Sequence, residues 1–348
     1  MIEACIPIVS EEIEIIKIDR FTSRLDIVLG LPRGKSLREA LEALYPKLTQ
    51  HGCYPLVRRE GRGLVLHLFQ AERHSSRLAL NIALAIATLA TVLLSGMALS
   101  QAGEEFDARG FAWNPLAYLL GLLTPLLAHE LGHWSVMRVY RTPASLPYLI
   151  PAPPIQLGFL GTFGAVINLR WLPPSASSLT LMAIMGPLVG YIVALPLAVY
   201  GLRSSIATST PPEGTVSLPL VPLSLLLLAL TLDVPSGYTL IFSPLAFASY
   251  VVFFVTFLNL VPIAMLDGGH VIRGVGGARL HSLISKAFIL SLLAASILFP
   301  QLLLFAVVAL AIYILSGGRH PGPSLGIERT SAHLTASSIL YGVLLVLT

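Results

Sequence analysis

From residue 78 onward the chain is written in long apolar runs, whereas before it polar and apolar residues trade places every one or two positions. Runs at 78–100, 112–137, 176–200 and 239–263, with a closing pair at 283–299 and 302–315, read as membrane-spanning helices. Only Pro300-Gln301 separates the last pair, which predicts a tight helical hairpin. The run 216–232 is interrupted by Pro219 and Pro222, and 334–348 is short for a span, so both are expected to be partial segments.

The amino-terminal part follows other periods. Residues 12–19 alternate acidic and isoleucine positions and 24–29 form a second strand candidate. Ser36 followed by Glu39 is a capping box that opens a helix with Leu37, Leu41, Leu44 and Leu48 on one face. Segments 54–59 and 64–69 flank Glu60-Gly61-Arg62-Gly63, a hairpin signal with glycine where positive φ is needed. The pattern therefore predicts an all-α polytopic membrane protein, with about six transmembrane helices plus re-entrant or partial segments, joined to a small soluble α+β domain. The expected divisions are a domain at 1–75, a membrane domain at 78–317, and a tail at 318–348 that ends in a short apolar helix.

Composition sharpens this division. Hydrophobic residues make up 55% of the 348 positions and charged residues 11%, against about 25% charged in soluble domains. Of the 40 charged residues (22 basic plus 18 acidic), 22 lie before residue 78 (12 basic plus 10 acidic), so the charge sits in the first domain. A net charge of +4 spread along the chain leaves no nucleic-acid footprint. Glu3, Glu11, Glu12 and Glu14 interrupt any apolar leader, and no cleavable signal peptide is expected. Cys5 and Cys53 have no CxxC spacing and read as ordinary packed thiols, and His67 and His74 as surface or strand residues.

Arginines set the expected orientation. Arg73 and Arg77 precede the first run, Arg138 and Arg141 follow the second, Arg170 falls in the next loop, Arg273, Arg279 and Lys286 follow the run ending near 263, and Arg319 follows the last. All are placed on the cytoplasmic side, together with the first domain, in an integral protein of the cell membrane. Parity then makes 216–232 re-entrant or surface-lying, and the tail 317–333, polar with Pro321 and Pro323, a flexible connection.

Candidate chemistry lies at Leu127-Ala128-His129-Glu130-Leu131-Gly132-His133-Trp134, at the end of the second run. Two histidines four positions apart on a helix share a face and can hold one zinc ion, while Glu130 between them can exchange a proton with an activated water. On a soluble helix the three could be a solvated face, but among Leu122, Leu123, Leu126, Leu127 and Leu131 an ionisable cluster is costly unless paired or metal-bound. Catalytic zinc sites usually take a third protein ligand, and Asp267, in Asn259-Leu260-Val261-Pro262-Ile263-Ala264-Met265-Leu266-Asp267-Gly268-Gly269-His270, is the best candidate at matching depth. His270 is the alternative there, and Asp233 a rival on the outer side.

The HELGH run, the Asn259-x-x-Pro262-x-x-x-Leu266-Asp267-Gly268 pattern and Gly186-Pro187-Leu188-Val189-Gly190 between them together resemble the site-2 protease family of intramembrane zinc metalloproteases. The resemblance covers residues 112–269. It implies one zinc per chain on His129, His133 and Asp267, Glu130 as catalytic base, and Asn259 in contact with substrate backbone or the developing oxyanion. It also implies that the loop 157–167, with Gly161, Phe163 and Gly164, binds an unwound substrate segment by strand addition. Substrates would be transmembrane proteins within the lipid bilayer. Residues 201–237 are too few and too apolar for the PDZ domain of many bacterial members, and the layout looks like archaeal and plastid members with an added amino-terminal domain, whose partner is unknown.

Two other classes use similar residues. A zinc or other divalent-metal transporter would also place histidines and an aspartate in spans, yet has no need of Glu130 at the central position. A zincin of the CAAX-processing type would need a glutamate ligand downstream, where Glu213 and Glu328 fall outside the expected spans.

Overall fold

The computed structural model describes residues 2–61, 63–71, 78–104, 109–212, 215–218, 220–318, 320–327 and 331–348. Arg62, Arg73, His74, Arg77, Glu213, Pro219, Arg319 and Glu328, which carry readings given above, lie outside the described residues.

The amino-terminal unit comprises α1 (Ile6–Glu12), β1 (Ile13–Arg20), β2 (Arg24–Pro32), α2 (Leu37–Gln50), β3 (Cys53–Glu60) and β4 (Gly63–Gln70). Its four strands form an antiparallel sheet in the order β1-β2-β4-β3. The capping box forms as expected. Ser36 Oγ accepts the Glu39 N–H at 3.3 Å, and the Glu39 carboxylate accepts the Ser36 N–H at 2.9 Å. Leu41, Leu44 and Leu48 then bury against Ile27, Leu66 and Leu68 of the sheet. The β3–β4 hairpin closes with Glu60 opposite Gly63.

One expectation is corrected here and another narrowed. Cys5 and Cys53 are not separate thiols but a disulfide, tying the residue before α1 to the first residue of β3 across 48 positions. His67 is the strand residue of the two alternatives, sitting in β4 with its Nδ1 2.7 Å from Asp26 Oδ1 on the neighbouring strand and its ring buried.

The apolar part contains α3 (Leu78–Glu104), α4 (Pro115–Val139), β5 (Tyr148–Pro151), β6 (Thr162–Val166), α5 (Ala176–Arg203), β7 (Ile206–Thr208), α6 (Leu223–Ala229), β8 (Thr239–Ile241), α7 (Pro244–Leu260), α8 (Asp267–Leu298), α9 (Leu303–Leu315) and α10 (Ser331–Leu347). Among the described residues three helices are both long and apolar enough to cross a membrane, at Leu78–Gln101, Ala176–Arg203 and Asp267–Leu298, and α7, α9 and α10 are shorter apolar helices. About six spans are thus not reached on those two criteria. Helix α4 has the length, 25 residues, but carries the ionisable cluster and Arg138 in its second half.

Two further differences bear on the site. The run 239–263 starts as β8, paired with β7, and becomes helical only at Pro244. The next helix starts at Asp267, not near 283, and runs 32 residues through a break at Gly277, so Arg273 and Arg279 lie on helix and not in a loop. By contrast the described residues of 216–232 hold only the seven-residue α6, about 10 Å of helix and far short of a bilayer.

Residues 320–327 are a clamp, not the flexible connection expected. Val57 N–H donates to Ser324 O at 2.7 Å, while Ser324 and Leu325 N–H donate to Pro173 O and Pro174 O at 2.8 and 3.0 Å. Leu325 and Ile327 complete the core of the amino-terminal unit. Trp171 adds a second tie, stacking on Tyr54 with 5.1 Å between ring centroids and donating to Pro55 O at 2.8 Å.

Candidate metal centre and its cleft

Helix α4 is started by Asn114, whose side chain accepts the Leu116 N–H at 2.9 Å, with Pro115 in the first position where a missing N–H costs nothing. A continuous helix then puts His129 and His133 one turn apart, and their ring centroids are 4.8 Å from each other. Both rings are buried because α4 lies unusually close to α5. A Cβ at Gly132 would strike the Met185 carbonyl, and one at Gly186 would strike the His133 ring. The absence of those two side chains brings the helices together, as the paired glycines of α5 predict.

Asp267 arrives from the other side. The chain leaves α7 at Leu260, turns through Val261–Leu266 with Ala264 at φ 50°, and re-enters helix at Asp267. A Cβ at Gly268 or Gly269 would meet the carbonyls of Leu260 and Ala264, so the pair of glycines lets α8 begin tight against the end of α7. The Asp267 carboxylate thereby reaches both imidazoles, Oδ2 standing 3.2 Å from His129 Nε2 and 3.4 Å from His133 Nε2.

Those separations fit a shared metal. Ligand atoms about 2.0–2.1 Å from a tetrahedral zinc are about 3.3 Å apart. Histidine chemistry agrees, because His133 Nδ1 donates to Met182 O at 2.7 Å and so leaves the Nε2 lone pair turned toward Asp267. Ligand atoms of His129, Glu130 and His133 all lie within 4.8 Å of one another. Glu130 is buried at the same level, beside the point where the three donors converge.

The donors form one wall of a cleft of about 310 Å³. Asn259 at the end of α7 lies on another wall, and Phe163 and Gly164 of β6 on a third. Strand β6 pairs on one edge with β5, in the register Tyr148↔Val166, Leu149↔Ala165 and Ile150↔Gly164, and residues 163–167 border the cleft. Of the residues singled out from the sequence, His129, Glu130, His133, Asp267, Asn259, Phe163 and Gly164 thus meet in one place. Gly161 does not. Its N–H donates to Pro153 O, its carbonyl accepts from Ala152 N–H and Thr91 Oγ1, and it packs against the backbone of α3.

Sequence reading named His270 only as an alternative ligand and missed the group it belongs to beside the cleft. His270 lines it one turn beyond Asp267, and His270 Nδ1 is 2.6 Å from Nε2 of His320, fifty positions later in the clamp segment. His281 Nε2 donates at 2.9 Å to Ala264 O, bracing the turn that delivers Asp267. No spacing rule links these three residues.

Residues 117–305 match the family described as peptidase family M50. The chain is 32% identical over 173 residues to the probable zinc metalloprotease EGY1, chloroplastic, of Arabidopsis thaliana, covering 47% of this chain and 30% of that protein. The protein of the same name from Oryza sativa subsp. japonica is 31% identical over 174 residues, 47% of this chain and 28% of its own. Probable zinc metalloprotease EGY2, chloroplastic, of Oryza sativa subsp. indica is 25% identical over 234 residues, 64% of this chain and 41% of its own. The chain therefore spans less than half the length of these relatives. No solved structure matches it at a significant level.

Proposed function

Because the chain belongs to peptidase family M50, we propose that it is a zinc-dependent endopeptidase that hydrolyses peptide bonds of transmembrane protein substrates inside the lipid bilayer. The observation that carries this reading is the convergence of His129 Nε2 and His133 Nε2 on one oxygen of Asp267, at 3.2 and 3.4 Å, with Glu130 adjoining. His129, His133 and Asp267 would hold one zinc ion per chain, which when bound makes a water more acidic and polarises a carbonyl.

The remaining chemistry falls to the chain itself. Glu130 takes a proton from the attacking water and returns it to the leaving amine, a role that requires a carboxylate inside the cleft and close to the donors. The His133–Met182 bond holds one ligand ring in orientation and tautomer. Asn259 offers an amide N–H to the substrate backbone. Strand β6, paired on one side only among the described residues, offers its other edge to a substrate segment whose own helical bonds have opened, and this supplies partners that hydrocarbon cannot. Embedding in a membrane is supported by the family and by the apolar helices. The arginine distribution supports an amino-terminal domain and cleft on the cytoplasmic side of a cell membrane.

The test is zinc content and cleavage on the same preparations of the full chain. Glu130→Gln is expected to keep about one zinc and lose cleavage, and Asp267→Ala to lose both. Full zinc retention in Asp267→Ala, or cleavage by Glu130→Gln at the unmodified rate, overturns the proposal.

A further inference from the structure

The hydrogen bonds around His320 leave one arrangement of ring protons. Gly322 N–H donates to His320 Nδ1 at 2.9 Å, and since an amide nitrogen cannot accept, His320 Nδ1 is the acceptor. Burial, then the neighbouring His270, His281 and Arg273, pushes the His320 pKa down to about 2, so the ring is neutral. Its single proton therefore sits on Nε2. That atom is 2.6 Å from His270 Nδ1, so His320 donates and His270 accepts. A neutral His270 that accepts at Nδ1 must in turn carry its own proton on Nε2.

This fixes what His270 offers the cleft. Its ring lies on the cleft wall with His129, Glu130, His133 and Asn259. Among the described residues the hydrogen bond of the His270 ring is the one at Nδ1, and no protein group takes the Nε2 proton. With the ring on the cleft wall, a substrate carbonyl in that cleft is the acceptor open to the Nε2–H.

The far end of the relay is held by the amino-terminal domain. Arg58 of β3 donates to Pro321 O at 3.1 Å and to Pro323 O at 3.3 Å, Val57 N–H donates to Ser324 O, and Arg273 Nε donates to His320 O at 3.4 Å. The backbone turn that presents Gly322 N–H to His320 is thus seated by docking of that domain.

We propose that His270 is a further catalytic residue, donating its Nε2–H to the scissile carbonyl oxygen as negative charge develops there, and that His320 is a positioning residue that imposes the tautomer required. The proposal rests on the protease reading above. No proton changes hands in this step, since His270 stabilises the oxygen by a hydrogen bond from a donor already in place.

The experiment uses the full chain in detergent, with a single-span polypeptide carrying a Gly-Pro break at its centre as the substrate probe. His270→Phe is expected to lower kcat about 100-fold, the scale of losing one oxyanion donor, with KM and zinc content unchanged. His320→Leu should lower kcat about tenfold, and His320→Gln, whose amide N–H can still donate to His270, should recover most of it. A second readout needs no turnover. In ¹⁵N spectra of the histidine-labelled chain stripped of metal, His270 is expected to be protonated at Nε2 in the unmodified protein and in His320→Gln, and to populate both tautomers in His320→Leu. Protonation of His270 at Nδ1 in the unmodified chain overturns the proposal, as does loss of zinc in His270→Phe or an unchanged kcat there. If the unmodified chain neither binds zinc nor cleaves, the protease reading fails instead, while the spectra still decide the tautomer.

Discussion

His133 Nδ1 donates to the Met182 carbonyl at 2.7 Å across the α4–α5 seam, and the same imidazole occupies the space that a Cβ at Gly186 would need. One bond and one missing side chain thus place the His133 ring. Gly186→Ala is expected to push the ring off Met182 and weaken zinc binding about 10- to 100-fold, as loss of outer-shell support does elsewhere. Gly190→Ala should cost less, because its Cβ would meet His129 Cβ at 3.0 Å and the Pro125 carbonyl at 3.2 Å, contacts that a small helix shift relieves. Zinc retained by each variant against a graded chelator series decides the order, and equal retention by Gly186→Ala and the unmodified chain refutes it.

Phe163 lies on the cleft wall yet is 64% exposed, held edge-on against Phe159 at 5.9 Å. An aromatic ring in that position is available for burial by a substrate strand on β6. Phe163→Ala is expected to raise KM about tenfold with kcat unchanged, since the ~1.5 kcal/mol of apolar burial it forgoes belongs to binding and not to the reacting bond. Steady-state cleavage of a single-span polypeptide measures both constants, and a fall in kcat at constant KM rejects the role.

Much of this centre was legible because helical period is a rigid ruler. His129 and His133 at i and i+4 must share a face of α4, and no tertiary contact can undo that. Asp267 was legible by elimination among carboxylates at matching depth and by the glycines beside it. The start of α8 was hidden by those same residues, since Gly268, Gly269, Gly274, Gly276 and Gly277 lower helix propensity while packing demands a helix. Strand β5 was hidden among Pro147, Pro151, Pro153 and Pro154, where its four residues leave no period to read.

The histidine relay and the clamp were illegible for a different reason. His270 and His320 meet only because residues 320–327 are drawn between the sheet of the amino-terminal unit and the start of α5, where Ser324 bonds both Val57 and Pro173. Polar tail composition with two prolines describes a flexible linker equally well, and the difference lies in distant partners.

Glu12 offers a test of the amino-terminal unit. Its buried carboxylate accepts from Lys35 Nζ at 2.7 Å and from Lys47 Nζ at 2.8 Å, and these bonds, Lys35 first, hold its pKa below the ordinary 4.5. A carboxyl whose folded pKa is depressed stabilises the fold above its unfolded pKa, and that contribution is lost as pH falls through the folded value. Glu12→Gln is therefore expected to lower the melting temperature at pH 7 and to make a progressively smaller difference as the pH drops below 4.5. Melting curves of both proteins over pH 2–8 test this, and a constant offset across that range contradicts it.

The Cys5–Cys53 bond ties α1 to β3 and closes a loop of 48 positions, so its removal should be felt by the whole amino-terminal unit. Loop-closure entropy sets the loss at about 2–4 kcal/mol, and Cys5→Ser should therefore lower the melting temperature of the unit by several degrees in the absence of reductant and by nothing once reductant is present. The bond also bears on sidedness. Arginine distribution argues for a cytoplasmic domain, whereas a disulfide persists in an oxidising compartment and is rare in a reducing one. Alkylation of intact cells, followed by a mass count of blocked thiols on the denatured chain, separates the two. No blocked cysteine without reductant and two with it means the bond stands in the cell, in which case the domain faces an oxidising space and the arginine argument fails. Two blocked cysteines from the outset mean that the unit folds in the cell on its hydrophobic core alone, with the ring of Tyr45 and the leucines of α2 carrying what the disulfide does not.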